Sequence, residues 1–186
     1  EMILMDLGAE YHGYTADVTR TIPIDGKFSP EEKAIYDLVL KAQDVTIKMS
    51  KPGTTFSEVT AKAREIINEG LAELGIISSP KARHLYFPHG LSHHIGLDVH
   101  DLGTYGEMQE NMAITIEPGI YIPEGSDCDP KWWGIAVRIE DDILITKDGY
   151  ELLSDFAPRT TEAIETMMKQ PSPLDAFNLP DFKGKQ

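Results

Sequence analysis

The sequence predicts a mixed α/β (α+β) domain whose strands pair mainly antiparallel. Two strand-like segments come first, two amphipathic helical segments follow, and further strand-like runs fill the second half. At 186 residues the chain is long enough for one sizeable core and short for two domains.

Residues 2–7 and 14–22 read as strands joined by the hairpin connection Gly8-Ala9-Glu10-Tyr11-His12-Gly13. Pro23 and Asp25-Gly26 end the second strand in a turn. Ser29-Pro30-Glu31-Glu32 combines a capping box with proline at the first helical position, so a helix is expected over about 30–50. Ile35, Leu38, Val39, Ala42 and Val45 line one face of it, and Lys51-Pro52-Gly53 stops it. A second helix begins near Ser57, with Val59, Ala63, Ile66, Ile67, Leu71 and Leu74 as its apolar stripe and Gly75 as its C-terminal cap. From about residue 84 the pattern reads as β again, with strands over 112–122 and 134–146 and a short one near Tyr150-Leu153. Thr160 to Lys169 forms a last helix. This gives one domain over 1–169 and an extended tail over 170–186.

The formal net charge of -14 excludes nucleic acid and anionic membrane surfaces as partners, since both require basic patches. No apolar run approaches a membrane span. The single cysteine, Cys128, rules out an intramolecular disulfide and fits a reducing cytoplasm. The chain opens directly in an apolar strand pattern, Met2-Ile3-Leu4-Met5, and therefore reads as a fragment or a trimmed chain.

Asp6 and Asp17 fall inside strand-like stretches, where aspartate is depleted. A hairpin would bring both carboxylates to one patch, although each alone could serve as a turn or cap aspartate. Glu117 and Glu140 each follow an isoleucine in an apolar run, a costly place for an acid unless a cation or a donor answers it. For Glu140 that answer could equally be Arg138, two residues away on the same strand face. Asp141 and Asp142 are assigned to solvated strand or edge positions. Four histidines crowd residues 89–100, where Gly90 and Gly96 let the backbone bend near a ligand. His93 is the imidazole taken with the four acids. His12 and His84 read as structural, and His94 is ambiguous. Carboxylates with one imidazole suit Mn²⁺ and admit Zn²⁺, Co²⁺ or Fe²⁺; more acids than one ion needs point to two bridged metals and hence to hydrolysis.

The segments Met5-Asp6-Leu7-Gly8-Ala9, Tyr14-Thr15-Ala16-Asp17-Val18-Thr19-Arg20-Thr21, His89-Gly90-Leu91-Ser92-His93, Gly96-Leu97-Asp98-Val99-His100-Asp101, Glu117-Pro118-Gly119 and Arg138-Ile139-Glu140-Asp141-Asp142 resemble the dimetal aminopeptidases of the pita-bread fold. The resemblance spans about residues 2–168 and is strongest to the Xaa-Pro aminopeptidase group, with prolidases as its sister. It implies a curved, mostly antiparallel sheet with helices on its outer face. It also implies a metal set of Asp6, Asp17, His93, Glu117 and Glu140, with Asp17 and Glu140 bridging two ions, most often Mn²⁺. His89 and His100 match substrate-contacting histidines of that group, and Arg138 its active-site arginine. Members carry a further part of the catalytic domain before the position of Asp6, so 1–169 corresponds to roughly the C-terminal two-thirds of one.

The expected reaction is hydrolysis of an N-terminal Xaa-Pro peptide bond by a metal-bridging hydroxide. Glu117 would move the proton and His100 would donate to the oxyanion. Tyr121, Trp132 and Trp133 could flank a proline ring or could be ordinary core aromatics. The competing readings are a prolidase restricted to dipeptides and a non-catalytic peptide-binding module of the same fold. The spacing of Glu117 and Glu140 and the compact loop from Cys128 to Trp133 favour the aminopeptidase, and the complete ligand set disfavours the module. Expected partners are peptides with proline second, the upstream segment of the same protein and further copies of the chain. The isolated chain is expected to be inactive, because its strand-first start leaves an unpaired edge.

Overall fold

A computed structural model describes residues 1–172. Strand β1 (Met2–Leu7) pairs antiparallel with β4 (Val18–Pro23), placing Asp6 opposite Thr19. Between them a small ribbon of β2 (Glu10–Tyr11) and β3 (Tyr14–Thr15) turns at His12 and Gly13, both with positive φ, as a tight two-residue hairpin requires. The expected strand over 14–22 is therefore interrupted at Ala16-Asp17. At that interruption the two arms come so close that a Cβ at Gly8 would run into the carbonyl oxygen of Ala16. Gly8→Ala is expected to cost about 1–3 kcal/mol, as overpacking does, measured as a lower midpoint in urea.

Helix α1 (Pro30–Met49) starts with the expected capping box: Ser29 Oγ accepts from Glu32 N, and Glu32 Oε2 accepts from Ser29 N. Helix α2 (Phe56–Glu73) carries a second box, Thr55 with Glu58, and Gly75 takes φ +72 just past its end. Ile35, Val39 and Ala42 of α1 and Val59, Ala63 and Ile67 of α2 are wholly buried. Each large aliphatic among them contributes roughly 1.5–3 kcal/mol by leaving water. The helices share this core with Ile114, Ile116, Ile120, Val137 and Ile143 of the strands that follow and with Ile139 between two of them.

Those strands are β5 (Ala113–Ile116), β6 (Gly119–Tyr121), β7 (Ala136–Arg138), β8 (Asp141–Thr146) and β9 (Gly149–Leu152). They form the antiparallel sheets β5-β8-β9 and β6-β7, so every ladder among the described residues is antiparallel, as expected. A 3-10 turn (Pro130–Trp132) buries Trp132 in the core, and helix α3 (Thr161–Met168) closes the described chain. Trp132 is thus a core aromatic, as the alternative reading of that residue had it.

Two expectations change. Each of the runs 112–122 and 134–146 is broken into two strands, at Glu117-Pro118 and at Ile139-Glu140. Pro118 has no N–H to give to a ladder. Residues 84–112 are irregular instead of β, yet 91–95 run beside β5: Glu117 N donates to Leu91 O, Thr115 N to His93 O and Ile95 N to Ala113 O. The start of the proposed tail, 170–172, is irregular, and the rest of it lies outside the described residues. No helix among the described residues is long and apolar enough to cross a membrane.

Candidate metal centre

The interruptions in the strands carry the chemistry. Asp17 sits at the break between β3 and β4, Glu117 between β5 and β6, and Glu140 between β7 and β8. A break redirects a side chain out of the strict in-out alternation, so a carboxylate can leave the apolar core without exposing a whole strand face. The backbone ties the breaks together: Glu140 N donates to Thr19 O, and Thr21 exchanges two hydrogen bonds with the backbone of Arg138. The residue pairing beside β5 then delivers His93 to the same place.

His93 Nε2 faces Asp17 Oδ2 at 3.5 Å, Glu117 Oε1 at 3.6 Å and Glu140 Oε1 at 3.8 Å. These gaps are long for direct hydrogen bonds and suited to groups that share a cation. Asp17, His93 and Glu140 offer one ligand atom each, all within 4.8 Å of one another. His93 Nδ1 lies 3.0 Å from His94 O, and donating there leaves Nε2 directed at the carboxylates. Glu140 is 2 % exposed, and its Oε2 accepts from Thr19 Oγ1 at 2.6 Å. The donor set therefore fits a divalent ion: several carboxylate oxygens and one imidazole nitrogen, converging from four segments of chain.

Among the four acids, Asp6 is the one that does not face His93. It is exposed, and Arg138 Nη2 binds its Oδ2 at 2.5 Å. Its charge raises the proton affinity of Asp17, so it borders the cluster without joining the three convergent ligand atoms. Arg138 also donates from Nε to Thr19 Oγ1, and it stands 3.7 Å from Glu140 Oε2, the same-face pair weighed from the sequence. His89 contacts Tyr121 OH at 2.8 Å and lies 3.8 Å from Glu117. His100 is exposed and packs edge-on against the His93 ring at 4.4 Å between centroids. All eight sequence-predicted residues thus gather around one place. His94 is buried with its Nε2 on Thr104 O, a structural role, and His84 bonds Asn68.

Electrostatics follow from crowding. Burial, then the Glu140 charge, then Asp6 push Asp17 up to about 7. Burial and Glu140 push Glu117 up to about 7 as well. Burial lowers His93, but the nearby Glu140 carboxylate, the bond to His94 O and the charge of Glu117 outweigh it and raise the ring to about 9. Burial holds His89 below its ordinary value. In the metal-free protein Asp17 and Glu117 thus bind protons more tightly than the unfolded chain does. Their contribution to stability is full below about pH 4, is lost as pH rises to about 7, and stays lost above. The His93 contribution is full below about 6.5 and is lost as pH rises through 9. Metal-free protein is expected to lose thermal stability between pH 5 and pH 9, and saturating divalent metal is expected to reverse that trend; melting curves across the range check it.

Asp141 and Asp142 are not solvated as expected from the sequence; they are 0 % and 6 % exposed. Asp142 Oδ2 accepts from Asp17 N at 3.0 Å, and burial pushes this carboxyl up to about 6. Sequence reasoning also assigned no role to Thr19, which holds Glu140, or to Arg20, which holds the Glu140 carbonyl at 2.7 Å. The available signal was their place in the Asp17-Val18-Thr19-Arg20 stretch beside a candidate ligand.

The sequence model for metallopeptidase family M24 matches residues 1–147. The chain belongs to that family. The mitochondrial intermediate cleaving peptidase 55 of Arabidopsis thaliana is 43% identical over 171 residues, covering 90% of this chain and 35% of the relative. The Xaa-Pro aminopeptidase of Escherichia coli (strain K12) is 40% identical over 180 residues, covering 90% of this chain and 41% of the relative. Among solved structures, Zn-substituted E. coli aminopeptidase P in complex with product superposes with a TM-score of 0.85 at 40% identity, covering 90% of this chain and 41% of that one. The chain therefore spans about two-fifths of the length of these family M24 proteins. It shares their pita-bread fold, as the resemblance implied, and the site sits in a family of metallopeptidases.

Proposed function

We propose that this family M24 chain carries the metal-binding part of an exopeptidase that hydrolyses the N-terminal Xaa-Pro bond of peptides. The observation that carries the reading is His93 Nε2 facing three carboxylates from three strand breaks. In this reading Asp17, His93, Glu117 and Glu140 hold two divalent ions. Asp6 joins them by exchanging Arg138 for a cation, a competition its exposed position permits. Carboxylate-rich donors favour Mn²⁺, with Zn²⁺, Co²⁺ and Fe²⁺ as alternatives. When bound, such ions supply an acidified water and polarise the scissile carbonyl.

The chain's own residues do the rest. Glu117, 3.6 Å from His93 Nε2 at the edge of the cluster, takes a proton at one carboxylate oxygen and returns it to the departing nitrogen. That nitrogen belongs to a tertiary amide in an Xaa-Pro bond and leaves as an amine only once protonated. In this reading His100, exposed beside His93, donates to the developing oxyanion. His89, hydrogen-bonded to Tyr121, orients the peptide. Arg138, once Asp6 has exchanged it for a cation, keeps its bond to Thr19 and so holds Thr19 in register with Glu140. The lone cysteine supports a cytoplasmic setting, and further copies of the chain remain the expected protein partners.

Glu117→Gln keeps the shape and removes the proton carrier. Its rate on an Xaa-Pro tripeptide is expected to fall by about 10²–10⁴. Full activity in that variant would overturn the assignment of Glu117. Cleavage of an Xaa-Pro dipeptide alone by the unaltered protein would favour a prolidase.

A further inference from the structure

Behind the strand breaks lies a second polar cluster that is completely buried. Asp141 is 0 % exposed; its Oδ1 accepts from Arg20 Nη2 at 2.6 Å and Ser154 Oγ at 2.5 Å, and its Oδ2 accepts from Gln43 Nε2 at 2.9 Å. Gln43, in the middle of α1, is also wholly buried. The proton of its amide nitrogen not given to Asp141 is shared between Ile116 O at 3.1 Å and Ile139 O at 3.2 Å. Those are the residues immediately before Glu117 and Glu140. Arg20 Nη1 completes the frame by donating to Thr19 O at 2.9 Å and Glu140 O at 2.7 Å.

The geometry points to Asp141 as a positioning hub that, through Gln43 and Arg20, sets the separation of Glu117 and Glu140 for divalent cations. This rests on the metal-site reading above. Three carboxylates crowded around His93 repel one another, and the breaks that carry two of them lie outside the strand ladders, tied by Glu117 N to Leu91 O and Glu140 N to Thr19 O. One amide bonded to the carbonyl before each glutamate holds both breaks to the same rigid helix. Asp141 fixes that amide's orientation by accepting one of its protons, and the Arg20 charge fixes Asp141. Outer partners of this kind typically change metal affinity by about 10–100-fold. A buried cluster that serves only folding would alter stability and leave affinity for metal unchanged.

The test is titration with Mn²⁺ alone, read by calorimetry, beside melting temperature, on the unaltered chain and four variants. Gln43→Leu removes the amide at similar volume. Gln43→Asn keeps an amide but withdraws it from both carbonyls, and it decides the matter if the leucine variant does not fold. Val39→Ala, also buried in α1 but apolar, reproduces a loss of stability without touching the cluster. Glu117→Gln probes the metal site itself. Both Gln43 variants are expected to weaken Mn²⁺ binding tenfold or more, while Val39→Ala stays within about twofold. Unchanged affinity in the Gln43 variants, or an equal loss in Val39→Ala, would overturn the hub. Unchanged affinity in Glu117→Gln would instead overturn the metal-site reading.

Discussion

Asp17→Asn is expected to abolish tight divalent-metal binding and, at the same time, to stabilise the metal-free protein at pH 8. The two effects share one cause. The Asp17 carboxylate is buried beside Glu140 and Asp6, and its affinity for protons, raised to about 7, measures how unfavourable its charge is without a cation. The amide removes that charge at constant shape, and the backbone bond from Asp17 N to Asp142 is untouched. After allowance for solvent screening, the gain is on the order of 1 kcal/mol, or roughly 2–4 °C in melting temperature for a chain of this size. At pH 5 the gain is smaller, because the native carboxyl is protonated, and it disappears below about pH 4, where the unfolded carboxyl is protonated too. Melting curves at both pH values, with and without Mn²⁺, check this. A variant that is less stable at pH 8, or that still binds metal, would contradict the role given to Asp17.

Asp141→Asn is expected to cost about 3–5 kcal/mol, the usual loss when one partner of a buried ion pair is removed. Arg20 is 8 % exposed, and Asp141 is the carboxylate it pairs with among the described residues. An asparagine would keep an acceptor for Ser154 or Arg20 but would leave the guanidinium charge unanswered in the interior. It would also turn amide protons toward Gln43 Nε2, itself a donor. The urea midpoint is expected to fall with little change in slope. A shift worth less than 1 kcal/mol would mean that water reaches Arg20.

Local signals in the sequence carried well into the structure. The Ser29-Pro30-Glu31-Glu32 box and Gly75 depend on contacts within one turn of chain, so nearby residues alone determine them. Asp17, Glu117 and Glu140, which the structure brings round His93, were conspicuous in the sequence because acids in apolar runs demand an explanation. What was not legible depends on distant partners. The breaks at Asp17, Glu117 and Glu140 interrupt runs whose composition suits continuous strands, and only Pro118 marks one of them. Asp141 and Asp142 looked solvated because the residues that answer them, Arg20, Gln43, Ser154 and the Asp17 amide, lie far away in sequence. Asp6 was assigned to the metal set with no sign that Arg138 would hold its carboxylate. A cation and a guanidinium compete for the same oxygen, and sequence order does not rank them.

The proposed centre is one cluster of side chains, built at three strand breaks, that binds two divalent ions. Anomalous diffraction from crystals grown with Mn²⁺ tests it most directly. The expected result is two peaks about 3.5–4 Å apart, both within coordinating distance of Asp17 and Glu140, with His93 and Glu117 on one ion and Asp6 turned from Arg138 toward the other. A single peak, or peaks away from these carboxylates, would contradict it.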